Sequence, residues 1–325
     1  MLRLSVLDQS PISEGSTGGD ALRNTVDLAR LADELGYHRY WLAEHHGGPM
    51  LAGPSPEVLI GPLAVATERI RIGSGGVMLP HYSPFKVAES FSLLSGLFPG
   101  RIDLALGRAS GTDPLTAYAL QRDRRQAAPD DFPQQLSELI AHFEDSLPAD
   151  HPFAHLPKYL PGRPEKPEVW LLGSSPQSGI WAAELGLPYA FADFINPSGA
   201  EIAHQYRQAH PDGRVAVGVW ALAAETEEEA HRLASSSRMT LRLLRRGQLI
   251  AVPPPEKALR FLAEDQGGAR GTGRRGIVGT PGDVRARIEE VAAEYGADEV
   301  IVLTITHDHG ARRRSYELVA DAFRD

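Results

Sequence analysis

The chain has 325 residues, 42% of them apolar, and no cysteine, which excludes a disulfide framework, a thiolate metal site and cysteine nucleophilic catalysis. Its 33 basic and 42 acidic side chains leave a formal charge of −9, which disfavours a nucleic-acid partner. No stretch approaches the ~20 apolar residues of a membrane span, and the apolar start breaks at Asp8 and Gln9, too short for a secretory core, so the expectation is a cytoplasmic protein that works on a small molecule.

Short runs rich in Val, Ile and Leu alternate with longer helical stretches. Arg3–Leu7 reads as a strand and Asp20–Leu35 as a helix stopped by Gly36, a residue suited to a left-handed C-terminal turn. Tyr40–Ala43 is the next strand, followed by a helix over Pro56–Thr67. Arg71–Val77 precedes Pro84–Leu97, where the proline fits a first helical turn. Arg101–Leu106 is the fourth strand, with Phe132–Phe143 helical behind it. The second half repeats the rhythm, with strands at Glu168–Leu172, Tyr189–Ala192, Val215–Leu222 and Glu299–Thr304. Its helices are Ser178–Leu185, Gly199–Ala209, Glu227–Arg245, Pro281–Tyr295 and Arg312–Ala322. Eight strands alternating with helices predict one α/β domain over 1–325, a closed (β/α)8 TIM barrel of ordinary length.

Two connections are long, Gly107–Asp131 after the fourth strand and Gln248–Gly276 after the seventh, and loops of that size tend to be lids or binding loops. Gly271–Gly276 spells the dinucleotide pattern G-x-G-x-x-G. It has no strand before it and leads into Ile277-Val278-Gly279 rather than a helix, so it reads as loop.

Functional side chains of such barrels stand at the C-terminal ends of the strands. Those ends read Asp8-Gln9-Ser10, Glu44-His45-His46, Ser74-Gly75-Gly76-Val77, Gly107-Arg108-Ala109-Ser110, Gly173–Ser178, Asp193 and Thr306-His307-Asp308-His309. Gly173-Ser174-Ser175-Pro176-Gln177-Ser178 offers a close backbone turn, hydroxyls and a helix start, which suits either a phosphate cradle or an ordinary N-cap. Arg108 is either its fixed cation or an ion-pair partner. The Gly75-Gly76 pair accommodates either a bulge or a planar cofactor against the strand. Neighbouring residues at a strand end point to opposite faces, so Glu44-His45-His46 is a poor chelate and no metal is expected. A histidine there is instead suited to proton handling. Asp8, Ser10, His46 and His307 are candidates for the substrate side.

Together these runs resemble the bacterial-luciferase-like flavin monooxygenases. The resemblance is carried by Tyr40-Trp41-Leu42-Ala43-Glu44-His45-His46, by Arg71–Pro84, by Arg101–Arg108, by Leu171-Leu172-Gly173-Ser174-Ser175-Pro176, and by Ile277–Pro281 with Glu299–Thr306. It covers nearly the whole chain in order. It implies a monooxygenase in which reduced FMN and O2 give a C4a-peroxyflavin that oxygenates a small organic metabolite. His45 is then the catalytic histidine, and Gly75–Gly76 the pair joined by a cis peptide beside the flavin. Arg108, Ser174, Ser175, Gln177 and Ser178 form the grip on the flavin phosphate, and 248–276 the mobile lid. A separate flavin reductase would supply the reduced FMN, and a homodimer would form through early barrel helices, though no stripe in the sequence marks that face. Gly107 stands where the light-emitting luciferase subunit carries a reactive cysteine, which puts light emission in doubt. The branch most resembled includes oxygenases of polyketide antibiotic pathways. The alternatives are an F420-dependent oxidoreductase on the same fold, a non-catalytic flavin-binding protein and, as an outsider, a metal-dependent hydrolase.

Overall fold

Nine strands run parallel in the computed structural model, which describes residues 2–108, 112–121, 123–126, 130–265 and 276–324. They are β1 (Arg3–Asp8), β2 (Arg39–Leu42), β3 (Arg71–Met78), β4 (Ile102–Gly107), β5 (Glu168–Gly173), β6 (Tyr189–Ala192), β7 (Val215–Ala223), β8 (Gly276–Gly279) and β9 (Glu299–Leu303). The order β6-β5-β4-β3-β2-β1-β9-β7 closes through a β6–β7 pairing, so eight strands make the expected barrel. Each of the eight predicted strands lies within one residue of its observed bounds. The ninth, β8, was not predicted. It extends the sheet beside the upper half of β7, from Trp220↔Gly276 to Ala223↔Gly279, beyond the point where β7 leaves β6 at Ala192↔Gly218.

The helices that clothe the barrel are α1 (Gly18–Leu35), α2 (Pro56–Ala66), α3 (Pro84–Leu97), α4 (Pro114–Leu120), α5 (Phe132–Glu144), α6 (Pro176–Glu184), α7 (Ala200–Ala209), α8 (Glu227–Leu244), α9 (Pro255–Glu264), α10 (Pro281–Tyr295) and α11 (His309–Ala322). Local signals set their ends. A Thr17–Asp20 capping box opens α1, and Gly36 closes it at φ 83°. The main core lies between the barrel wall and these helices, where Val6, Leu28, Tyr40, Ile72, Leu104 and Val302 are buried.

Both long connections contain helices that the sequence pattern does not show. Helix α4 lies within 107–131, and Asp113 caps it by accepting from the Leu115 and Thr116 amides. Within 248–276, α9 packs on α8 through Ala258 against Met239 and Leu243, with Ile250 and Phe261 beside them. Ala109, Ser110 and the rest of that stretch at 266–275, which holds most of the glycine-rich run, lie outside the described residues.

The barrel floor is charged. Arg39, fully buried at the start of β2, donates to Asp103 at 2.8 Å, Glu168 at 2.9 Å and Glu299 at 2.8 Å. Its guanidinium also stands 4.7 Å over the Trp170 ring. Arg71 pairs with Asp103 and Arg214 with Glu168, so the network ties strand starts round the barrel. These are the N-terminal ends of the strands, the face on which barrels place stability rather than chemistry.

Candidate active site

At the opposite end a cavity of about 1390 Å³ opens among the C-terminal strand ends. Single small-molecule sites usually span ~300–1,000 Å³, so this one has room for a cofactor and a substrate together. Residues from β2, β3, β4, β5 and α8 line it, including His45, Gly75, Gly76, Arg108 and Ser174.

The second strand end splits by alternation. Glu44 and His46 share one side, with His46 Nε2 2.8 Å from Glu44 Oε1, while Glu44 Oε2 accepts the Met78 amide at 2.9 Å. His45 goes the other way, where its Nε2 lies 3.1 Å from Gln9 Nε2 and its backbone N–H donates to the Gly53 carbonyl at 3.0 Å. His81 stands with its ring 5.7 Å from that of His46, edge to face. Glu44, His46 and His81 thus bring one ligand atom each within 4.8 Å of one another, although both Glu44 oxygens are already engaged by His46 and Met78.

The Gly75–Gly76 peptide is cis, as the resemblance implied, and the pairing of β3 with β4 shifts register between Gly75 and Val77. A bulge and a cavity wall therefore coincide there. Glycine is needed for packing. A Cβ on Gly75 would lie 2.8 Å from Leu7 Cδ1 and from Trp41 Cβ, and one on Gly76 would lie 2.6 Å from the Ala105 carbonyl oxygen.

The fifth strand ends in a tight turn, where a Cβ on Gly173 would fall 2.1 Å from Ser178 Oγ. Ser175 is the N-cap of α6 in extended backbone, yet its hydroxyl makes no capping bond, and Pro176 follows in the first turn. Ser174, Ser175 and Gln177 line the cavity beside this helix start. Ser178 also lines it, but its hydroxyl donates to the Ser175 carbonyl at 2.7 Å and meets Tyr189 Oη at 2.9 Å. It shapes the loop rather than offering a donor. Arg108 leaves β4 with its guanidinium 5.8 Å over the Trp181 ring of α6 and pairs with no carboxylate among the described residues. The ion-pair alternative for Arg108 is thereby set aside, and an uncommitted cation stands beside a helix N-terminus, the arrangement that binds phosphate.

Three of the substrate-side candidates are elsewhere. Asp8 is fully buried, accepts from Tyr40 Oη at 2.5 Å and from Arg312 Nη2 at 2.7 Å, and does not line the cavity. Burial by itself would raise its pKa, but Arg312, Tyr40 and the Ser10 amide outweigh that and hold the carboxyl below its ordinary value. Ser10, at φ 50°, turns its hydroxyl to Thr25 at 2.8 Å. His307 lies 3.2 Å from the Glu14 carbonyl, away from the cavity. The residue between the first two, Gln9, is the one that faces in. Strand alternation carried that signal, but its phase was not readable from the sequence.

The profile of the family described as luciferase-like monooxygenase matches residues 2–299. A luciferase-like monooxygenase of Escherichia coli K12 is 40% identical over 98% of this chain and 96% of its own. An N-acetyl-S-alkylcysteine monooxygenase of Bacillus subtilis is 39% identical over 99% and 98%. The crystal structure of apo-MsnO8 superposes with a TM-score of 0.89 at 38% identity, covering 99% of this chain and 98% of that one. Two solved structures share the fold alone. They are the oxygenating constituent of a 3,6-diketocamphane monooxygenase in complex with FMN (20% identity, TM-score 0.74, 98% and 96% covered) and an F420-dependent secondary alcohol dehydrogenase (15%, 0.69, 100% and 99%). A barrel whose mouth carries His45, the Gly75–Gly76 wall and the Ser174–Arg108 corner, and whose sequence matches these relatives end to end, belongs to the luciferase-like monooxygenase family.

Proposed function

We propose that the protein is an FMN-dependent monooxygenase that receives reduced FMN from a separate reductase and oxygenates a small organic metabolite. The observation that carries this reading is the pairing, in one cavity, of a side-chain-free wall at Gly75–Gly76 with an anion corner at Ser174, Ser175, Gln177 and Arg108. The first suits the face of a flat ring system and the second its terminal phosphate. Reduced FMN, when bound, supplies the electron pair that activates O2, so that one oxygen atom enters the substrate and the other leaves as water.

The chain's own residues do the rest. Arg108 and the start of α6 would hold the phosphate, and the backbone without side chains at Gly75 and Gly76 would leave room for the ring. Trp41, Leu172, Phe194 and Leu303 in the cavity wall keep water from the reacting centre. His45 takes and returns a proton, held in orientation by Gln9. The N-acetyl-S-alkylcysteine acted on by the Bacillus subtilis relative supports a thioether-bearing acid as one substrate class to screen, beside the antibiotic-type metabolites to which the sequence resemblance points.

Large apolar side chains on two adjacent early helices support a homodimer through that face. Val58 and Val65 on α2 are 66% and 76% exposed, and Leu93 and Leu97 on α3 are 50% and 64% exposed. No helix among the described residues is long and apolar enough to cross a membrane, in keeping with a cytoplasmic enzyme.

The test is anaerobic titration with reduced FMN and, separately, reduced F420, followed by admission of air. Tight binding of reduced FMN with an oxygen-dependent absorbance transient is the expected result. Binding of F420 alone, with no such transient, would move the protein to hydride transfer.

A further inference from the structure

The charge of the cavity runs against the charge of the chain. The protein carries a formal −9, yet among the described residues the cavity is lined by three arginines, Arg108, Arg238 and Arg242, against two carboxylates, Glu44 and Asp113. Both acids are committed, Glu44 to His46 and the Met78 amide, and Asp113 to the first amides of α4. Arg242 is balanced by Asp265 at 3.1 Å. Arg238 is not balanced. The neighbour of its guanidinium is His231 Nδ1 at 3.0 Å, and no carboxylate pairs with it among the described residues.

Arg238 and Arg242 sit one turn apart on α8, which follows β7, whereas Arg108 follows β4. The ring order puts three strand spacings between β4 and β7, roughly 14 Å along the sheet at the usual spacing, and α8 packs beyond β7 against β8 and α9. The cavity lining also includes the apolar Trp220, Leu241, Leu244, Leu249 and Leu262. Arg238 is exposed while it lines the cavity, so a ligand can reach it, and partial burial of its guanidinium lowers its pKa from the ordinary value.

We propose that Arg238, with Arg242 behind it, is a second anion subsite that selects substrates having an apolar body and a terminal organic acid group, such as a carboxylate. The proposal deepens the monooxygenase reading by naming the substrate class, and it rests on that reading for the reaction though not for the anion site.

The experiment is calorimetric titration of the full chain, with and without reduced FMN, using a panel of ω-phenylalkanoates and the matching primary amides. At least one acid should bind about tenfold more tightly than its amide, the worth of one charge-assisted hydrogen bond. Arg238→Met should abolish that preference and Arg238→Lys restore part of it, with reduced-FMN affinity unchanged in both. Acids that bind no better than their amides across the panel would overturn the proposal, as would a preference that survives Arg238→Met. So would an effect of Arg238→Met on binding of F420, with its acidic tail, but not on the acids. Failure of the wild-type chain to bind reduced FMN would sink the monooxygenase reading while leaving an acid preference, if observed, in place.

Discussion

The amide nitrogen of Gln9 lies 3.1 Å from Nε2 of His45. An amide N–H2 only donates, so the ring nitrogen it meets is the acceptor and the proton of a neutral His45 sits on Nδ1. Gln9→Leu removes the contact that selects this tautomer and should slow turnover. His45→Ala should slow it by about 10²–10⁴-fold, the range for a lost general acid–base group. In both variants affinity for reduced FMN should stay within experimental error of wild type. Full oxygenation by His45→Ala, in single-turnover measurements, would remove His45 from the mechanism.

The proposed grip assigns Arg108 to the phosphate and not to the ring. Arg108→Met should weaken reduced FMN by about 10–100-fold, equivalent to ~1.5–3 kcal/mol for a charge-assisted contact, while binding of reduced riboflavin stays as it was. Parallel fluorescence titrations of the two flavins give the answer directly. Equal losses for both would place Arg108 on the ring instead.

The Gly75–Gly76 wall is built to close tolerance. An added methyl at Gly76 meets the backbone oxygen of Ala105, which cannot swing aside, whereas one at Gly75 meets the side chains of Leu7 and Trp41. Gly76→Ala should therefore destabilise more than Gly75→Ala, by about 1–3 kcal/mol as overpacking does. Urea unfolding of the pair tests the order.

Asp8 belongs to stability rather than to substrate. Its folded pKa is depressed, so the stabilisation it provides is fully present above its unfolded value near 3.8 and is lost as pH falls below that towards the folded value. Asp8→Asn leaves Arg312 buried without its counter-charge and should cost about 3–5 kcal/mol at neutral pH. The variant should also show a flatter loss of stability between pH 4 and the acid limit. Denaturant midpoints across that range separate this from a substrate role, which would change KM and leave the midpoints alone.

If the α2–α3 face joins two copies, a charge in its middle should part them. Val65→Lys or Leu97→Lys should shift the mass measured by light scattering from dimer to monomer, since burying one lysine without a partner costs several kcal/mol. A wild-type chain that is monomeric at the same concentration would refute the interface.

The barrel was legible because its strands are short runs of Val, Ile and Leu bounded by glycine or charge, and no other pattern competes there. Strand β8 was not, since Gly-Ile-Val-Gly has no alternation to read. Helix α9 was hidden by Pro253-Pro254-Pro255, which reads as a breaker although Pro255 opens the helix. The strand-end rule named residues that line the cavity after the second to fifth strands, but not after the first. Asp8 and Ser10 face the protein interior where Gln9 faces the cavity, and that choice is made by a one-residue phase which periodicity alone does not fix. Arg238 escaped for a different reason, because a helix after the seventh strand gives no sign from sequence of which arginines overhang the mouth.

The charged floor under the barrel has a bearing on how this enzyme can change. Arg39 and its acids draw together β1, β2, β4, β5 and β9 at the end remote from the cavity, through Ser5, Asp103, Glu168 and Glu299. Cavity-facing side chains such as Gln9, His45 and Arg108 take no part in that network. Loops and helix faces there can be exchanged for new substrates while the scaffold keeps folding, so a directed library confined to α8 and α4 should yield many well-folded variants, whereas one aimed at the strand starts should yield few.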